Sequence, residues 1–153
     1  MKLETQSFGT LDYDDNAVLQ LREGMLGFAK HKRYILVEND EILPFKWLQS
    51  LDDQHVSFPV IDPHLVLSSY VCALTPEDLT SLQIEREEDV VKLVVAVIPE
   101  DPLQTTVNLK APIIINHKLM AGKQIVLTNS DYHTHQPLVS EDLAERNNED
   151  RSQ

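Results

Sequence analysis

Four oxygen-bearing side chains near the start of the chain have the types, and nearly the spacing, of a calcium loop. Asp12, Asp14 and Asn16 fall on alternate positions and Glu23 follows eleven after Asp12, as in an EF-hand. The sixth position of such a loop turns sharply on a glycine, and here it is Ala17. The flanking residues read as strands and not helices, so an acidic β-turn accounts for the cluster better than calcium. His133 and His135 stand two apart, with His117 in the loop before them. A zinc site needs further ligands at workable geometry, and Cys72 is distant in sequence. Solvated histidines are the simpler reading, although a small metal-dependent β-barrel enzyme built on these residues is the alternative to keep. Asp52 and Asp53 form an adjacent carboxylate pair in "LDDQH", suited either to acid–base work or to capping a turn, and capping is the more economical. The sequence has no Gly-x-Ser-x-Gly elbow, phosphate loop or dinucleotide fingerprint. Catalysis is unsupported, and neither a metal nor another cofactor is expected.

Charge narrows the classes further. The formal net charge is −12, which repels phosphate backbones and attracts basic proteins. "KHKR", Lys30 to Arg33, is the one concentration of positive charge. It is too short for a nucleic-acid patch in so acidic a field and reads as the solvated entrance to a strand. With a single cysteine, Cys72, no intrachain disulfide forms, and a reducing compartment fits. "MKLETQSFGT" has no apolar stretch of the kind that opens a signal peptide. The longest apolar run, Val90 to Ile98, is strand-sized, too short to span a bilayer. The expectation is a cytoplasmic chain with no membrane and no direct nucleic-acid partner.

The elements that must position any site are mostly short strands. Lys2 to Phe8, Ala17 to Leu21, Arg33 to Glu38, Phe45 to Ser50 and Ser57 to Asp62 are rich in β-formers. Between the second and third, "EGMLGF" carries Gly24 and Gly27, the mark of a turn with a demanding backbone. One helix is expected in "TPEDLTSL", with Thr75 as N-cap, Pro76 at the first helical position and acids in the first turn. "EREEDV" after it reads as a solvated acidic rim. Val90 to Ile98 is apolar on both parities and so central. Thr105 to Lys110 alternates cleanly, and "APIII" and "KQIVL" flank a loop holding Gly122, which suggests a hairpin. These features predict an all-β, single-domain small barrel or sandwich over residues 1–138 with one short helix. Residues 139–153 read as a polar, acidic, disordered tail.

Two strands carry prolines, Pro59 in "SFPVID" and Pro112 in "NLKAPIIIN". Proline gives no N–H to a ladder, so both suggest sheet edges, either blunted against aggregation or kept for a partner. The aromatic set Phe45, Trp47 and Phe58 belongs either to the core or to an interface.

"FKWLQSLDD", "FPVIDP", "IPEDP…TTVNLKAPIIIN" and "GKQIVL…SDY" follow one another in the order of the FliW family of flagellar assembly factors, at close to its spacing. The chain resembles that family from about Met1 to Leu138. The family's early turn usually reads Phe-Pro-Glu-Gly-Leu-Pro-Gly-Phe, whereas "LREGMLGF" has Arg22 and Leu26 for both prolines and keeps the glycines and Phe28. The resemblance implies a small, non-enzymatic, cytoplasmic β protein that binds flagellin and CsrA, a basic RNA-binding regulator of translation. These partners compete. Export of flagellin frees the factor to bind CsrA and relieve its repression of flagellin translation. Candidate partner-binding residues are Phe28 in the early turn, Phe45 and Trp47, Pro59 and Pro112, and the acids Glu100 and Asp101. Asn108 and Lys110, expected on the outward face of the following strand, complete the set.

Overall fold

A computed structural model describes residues 1–5, 9–38, 44–128 and 130–138. The expected tail, 139–153, lies outside the described residues. β1 (Lys2–Thr5) and β2 (Gly9–Asp12) make a separate antiparallel hairpin. The rest is organised by β3 (Leu19–Leu21), β4 (Arg33–Val37), β5 (Lys46–Ser50), β6 (Ser57–Ile61), β7 (Val90–Val97), β8 (Thr106–Val107), β9 (Ile113–Asn116), β10 (Ala121–Gln124) and β11 (Gln136–Pro137). Seven of these, β3 to β7 with β9 and β10, close into a barrel. Every ladder in the ring is antiparallel except the seam where β10 lies parallel to β3, pairing Ala121 with Gln20 and Gly122 with Leu21.

Strand alternation divides the apolar residues between two cores. Leu21, Tyr34, Leu48, Val60, Leu93, Ile113 and Ile115 pack together inside the ring. Ile61, Val94, Ala96, Val107 and Ile114 face outward beneath Tyr70, Cys72, Leu82 and Leu127. The three isoleucines of "APIII" are therefore buried on both faces, and the unbroken apolar run of β7 has the same cause.

Neither proline marks an edge, which corrects the sequence expectation. β6 lies between β5 and β7, and its pairing with β7 is registered at Val60 and Ile61, just after Pro59. β8 and β9 lie along the same side of β7, at Ala96–Val97 and Val90–Leu93 respectively. Residues 108–112 arch between them. The Asn108 Oδ1 accepts from the amides of Lys110 (3.2 Å) and Ala111 (3.1 Å). The carbonyls of Lys110 and Pro112 accept from Leu127 (2.8 Å) and Ile125 (2.9 Å), and Leu109 O accepts from the buried Tyr70 hydroxyl at 2.7 Å. Pro112 thus closes the arch directly before β9 begins at Ile113, a strand start being another place that tolerates it. Burial still alternates from Thr105 to Ala111, but an arch replaces the expected continuous strand and turns the Asn108 side chain back on its own backbone.

The helix over Pro76–Ser81 carries a capping box: Thr75 Oγ1 accepts from the Asp78 amide (3.1 Å) and Asp78 Oδ2 from the Thr75 amide (3.3 Å). A second, four-residue helix at Pro63–Val66 was not expected, although Asp62 and Pro63 give it the same start signal. The earlier is labelled α1 and the later α2. The acidic rim is only partly solvated, since Asp89 is buried and pairs with Lys118 at 3.2 Å. Gly122 lies within β10 and not in the hairpin loop, because a Cβ there would stand 2.9 Å from both the Ile114 carbonyl oxygen and Leu21 Cδ2.

Both carboxylates of "LDDQH" hold turns. Asp53 Oδ1 accepts from the His55 amide at 2.9 Å. Asp52 Oδ2 accepts from the amides of Lys32 (2.8 Å) and Arg33 (3.1 Å), and its Oδ1 takes Arg33 Nε (3.1 Å) and Nη2 (3.0 Å). Burial pushes the Asp52 carboxyl up, but those amides and the guanidinium outweigh it and hold the group below the usual carboxylate range. Burial, and then the Asp52 charge, push the Tyr34 phenol up to about 12. A depressed native value stabilises the fold above the unfolded carboxyl value, near 3.9, and the contribution is lost as pH falls through the native value. Asp52→Asn is therefore expected to cost about 1–3 kcal/mol at pH 7. Urea midpoints at pH 7 and pH 3 check this, the deficit shrinking at the lower pH.

Candidate functional site

The β3–β4 connection forms a ledge held by hydrogen bonds within it and to β10. The Phe28 amide donates to Met25 O at 2.7 Å, and Gly27, third in that four-residue turn, has φ +83°. This is the type II pattern, in which proline commonly fills the second place. Leu26 stands there instead and leaves its side chain 57% exposed. Met25 turns inward and packs with the residues inside the barrel. Phe28, 37% exposed, meets the Phe58 ring edge-on with centroids 5.2 Å apart. Gln124 ties the ledge to the arch: its Oε1 accepts from the Leu26 amide (2.8 Å) and its Nε2 donates to Ala111 O (3.1 Å).

The ledge faces the end of β7. Met25, Leu26, Phe58, Val95 and Val97 line a hollow of about 200 Å³ whose polar side is Thr106, Asn108, Gln124, Thr134 and His135. Val97 is 60% exposed and Ile98 is 42% exposed, so apolar surface continues toward the β7–β8 connection that carries Glu100 and Asp101. On the other side of the ledge, Gly27, Phe28, Ala29, Lys30 and His31 surround a second hollow of about 320 Å³. On the polar side of the first hollow, Thr134 Oγ1 lies 3.0 Å from His135 Nδ1, an exposed contact between neighbouring residues. What the arrangement can do is bind: a preformed apolar ridge removes part of the ordering cost of association, and residues of both charges flank it.

Of the sequence candidates, Phe28 and Asn108 belong to this surface, and Glu100 and Asp101 adjoin it through their connection. Asp101 also caps the 3-10 turn Pro102–Gln104, accepting from the Leu103 amide at 3.0 Å. Phe45 packs against the outer core. Trp47 is registered between Val37 and Pro59 on the outer face of β4 to β6, and neither of the latter two candidates lines the hollows. Lys110 is half-buried and Pro112 buried in the arch. Sequence reasoning missed Leu26, Val97 and Gln124 as surface-forming residues. The signal for Leu26 was a leucine where the matching turn has proline, and for Val97 apolar residues running up to "PEDP".

A larger cleft of about 530 Å³ lies between α1 and β7, bordered by Ile61, His64, Leu65 and Val90, and contains none of the candidates. Among the described residues no group of three or more His, Cys, Asp or Glu side chains is placed to hold a metal ion. His117, beside the Glu88 carbonyl at 3.2 Å, stands at the opposite end of β7 from His135. No helix among the described residues is long and apolar enough to cross a membrane.

Residues 2–138 match the family model described as FliW protein. A flagellar assembly factor FliW of Thermoanaerobacter pseudethanolicus is 39% identical over 142 residues, covering 92% of this chain and 95% of that protein. One from Clostridium tetani is 37% identical over 142 residues, covering 93% and 98%. A crystal structure of the flagellar assembly factor FliW superposes with a TM-score of 0.87 at 32% identity, covering 92% of this chain and 99% of that one. Order of motifs, barrel topology and these likenesses agree, and the chain belongs to the FliW family.

Proposed function

We propose that this protein is a cytoplasmic regulator that binds flagellin and CsrA in turn and antagonises CsrA, so that flagellin translation follows flagellin export. The observation that carries the reading is the ridge of Leu26, Phe28 and Val97, exposed on a pinned turn and a strand end, in a chain of net charge −12. Apolar residues exposed on a hydrogen-bonded turn suit an amphipathic helical segment of a partner. The negative field steers a basic RNA-binder toward the protein and weakens its hold on RNA phosphates. That influence extends about 8–10 Å beyond the contact at ordinary ionic strength, so the RNA site need not be covered directly.

Titration calorimetry against purified CsrA and flagellin of the same organism, each at two salt concentrations, tests it. Saturable binding of both is expected, with CsrA binding weakening by about tenfold or more as salt rises severalfold. Binding of flagellin without CsrA would replace the regulator with an export chaperone. Binding of neither would end the proposal.

A further inference from the structure

The ledge carries positive charge on one flank. Lys30 and His31 line the hollow beside Phe28, and Lys32 follows. Arg33 is engaged by Asp52, which also accepts from the Lys32 backbone amide at 2.8 Å, but among the described residues no carboxylate lies within 4.0 Å of the Lys30 or Lys32 ammonium group. Both are exposed. A chain of net charge −12 thus places one lysine without an ion pair, Lys30, in the hollow beside the exposed Phe28, with a second, Lys32, two residues further along the same connection. The other flank, beyond Val97 and Ile98, carries Glu100 and Asp101.

We propose that the Lys30–Lys32 flank, with Leu26 and Phe28, docks an acidic amphipathic segment, its apolar side chains on the ridge and its carboxylates on the two lysines. The argument is charge complementarity around an apolar centre. An unneutralised basic flank disfavours a basic occupant and favours an acidic one. This rests on the reading above: of the two partners, CsrA is the basic one, so flagellin supplies the segment held here. CsrA is drawn toward the acidic flank, and both occupants need the same apolar centre, which makes them exclusive while their charge requirements stay opposite.

The test measures flagellin and CsrA binding by the Lys30→Glu/Lys32→Glu variant, with Lys30→Gln/Lys32→Gln as the milder change. Charge reversal removes two positive charges from the flank and adds two negative ones, a shift of four units, whereas the glutamine variant shifts it by two. Flagellin affinity is expected to fall by about tenfold at low salt, with the glutamine variant between, and the difference to narrow at high salt. CsrA affinity is expected to hold or rise. Flagellin binding that is unchanged in both variants overturns the assignment while leaving the proposed function intact, and so does a parallel loss of both partners. Wild-type protein that fails to bind flagellin overturns both. Anionic phospholipid vesicles are the counter-probe: vesicle binding lost on charge reversal, with flagellin binding unaffected, would give the flank to a membrane surface instead.

Discussion

Gly24→Ala is expected to lose about 2–5 kcal/mol of stability, whereas Gly27→Ala loses about 1. Both glycines have positive φ, +69° and +83°, so both variants carry the same left-handed penalty. They differ in what a side chain would meet. A Cβ at Gly24 stands 2.5 Å from the Phe28 carbonyl oxygen and 2.7 Å from Ala29 Cα, while at Gly27 nothing lies within 4 Å. The atoms at Gly24 are backbone and cannot swing aside as the end of a flexible side chain would. Relief requires the Met25–Phe28 turn to move, and Met25, packed inside the barrel, resists that. Set against the 5–15 kcal/mol that holds a typical domain together, a change of this size leaves little reserve. Urea denaturation of the two variants beside the parent checks the contrast. Equal midpoints would mean that the turn is not tied to the barrel. Gly24→Ala should also lose partner binding at temperatures where it remains folded, because the same movement displaces Leu26 and Phe28.

The second large effect is expected at Asn116. Its side chain is buried at the end of β9. Nδ2 donates to the carbonyls of Leu82 (2.9 Å) and Gln83 (3.2 Å), just past α2, and Oδ1 accepts from the amides of Lys118 (3.1 Å) and Leu119 (3.4 Å) in the hairpin loop. One amide group thus joins two segments 33–34 residues apart in sequence. Asn116→Ala leaves several of these groups without a partner, at about 1–3 kcal/mol for each that stays dry. Asn116→Asp has a pH signature as well. Its carboxylate would face two carbonyl oxygens, so the native state favours the protonated acid and the folded pKa rises above the unfolded value. The native state then holds a proton that the unfolded chain releases, and the variant loses stability as pH rises from the unfolded carboxyl value through the higher folded one. Its deficit against the parent should be larger at pH 7.5 than at pH 4.5, measured by urea midpoints at each. A deficit independent of pH would show that water reaches the site.

Local chemistry made much of this fold legible in the sequence. Thr75, Pro76 and Asp78 specify a helix start within four residues, and they form one. The alternation of Thr105 to Ala111 correctly marks which side chains are buried, because parity is a property of one strand. Partners are not. That one side of β7 is shared by β8 and β9, with an arch between, depends on segments that meet only in the folded chain. Pro112 signals a missing N–H, and the sequence does not distinguish an edge from a strand start. The candidate surface divides in the same way. Phe28 and Asn108 are recognisable from turn and motif, whereas Gln124 becomes important only because the Leu26 amide and the Ala111 carbonyl flank it. Asp62 and Pro63 carried a legible helix start, and the helix escaped notice because it is only four residues long.

The Leu26–Gln124 hydrogen bond spans 98 residues of sequence, and the parallel seam beside it joins β3 to β10. On a ribosome that adds residues at about 5–20 per second, the ledge emerges several seconds before the strand that anchors it. An incomplete chain lacks β10 and so has an open ring and an unpinned Leu26, and the ledge takes its final form only when synthesis has passed Gln124.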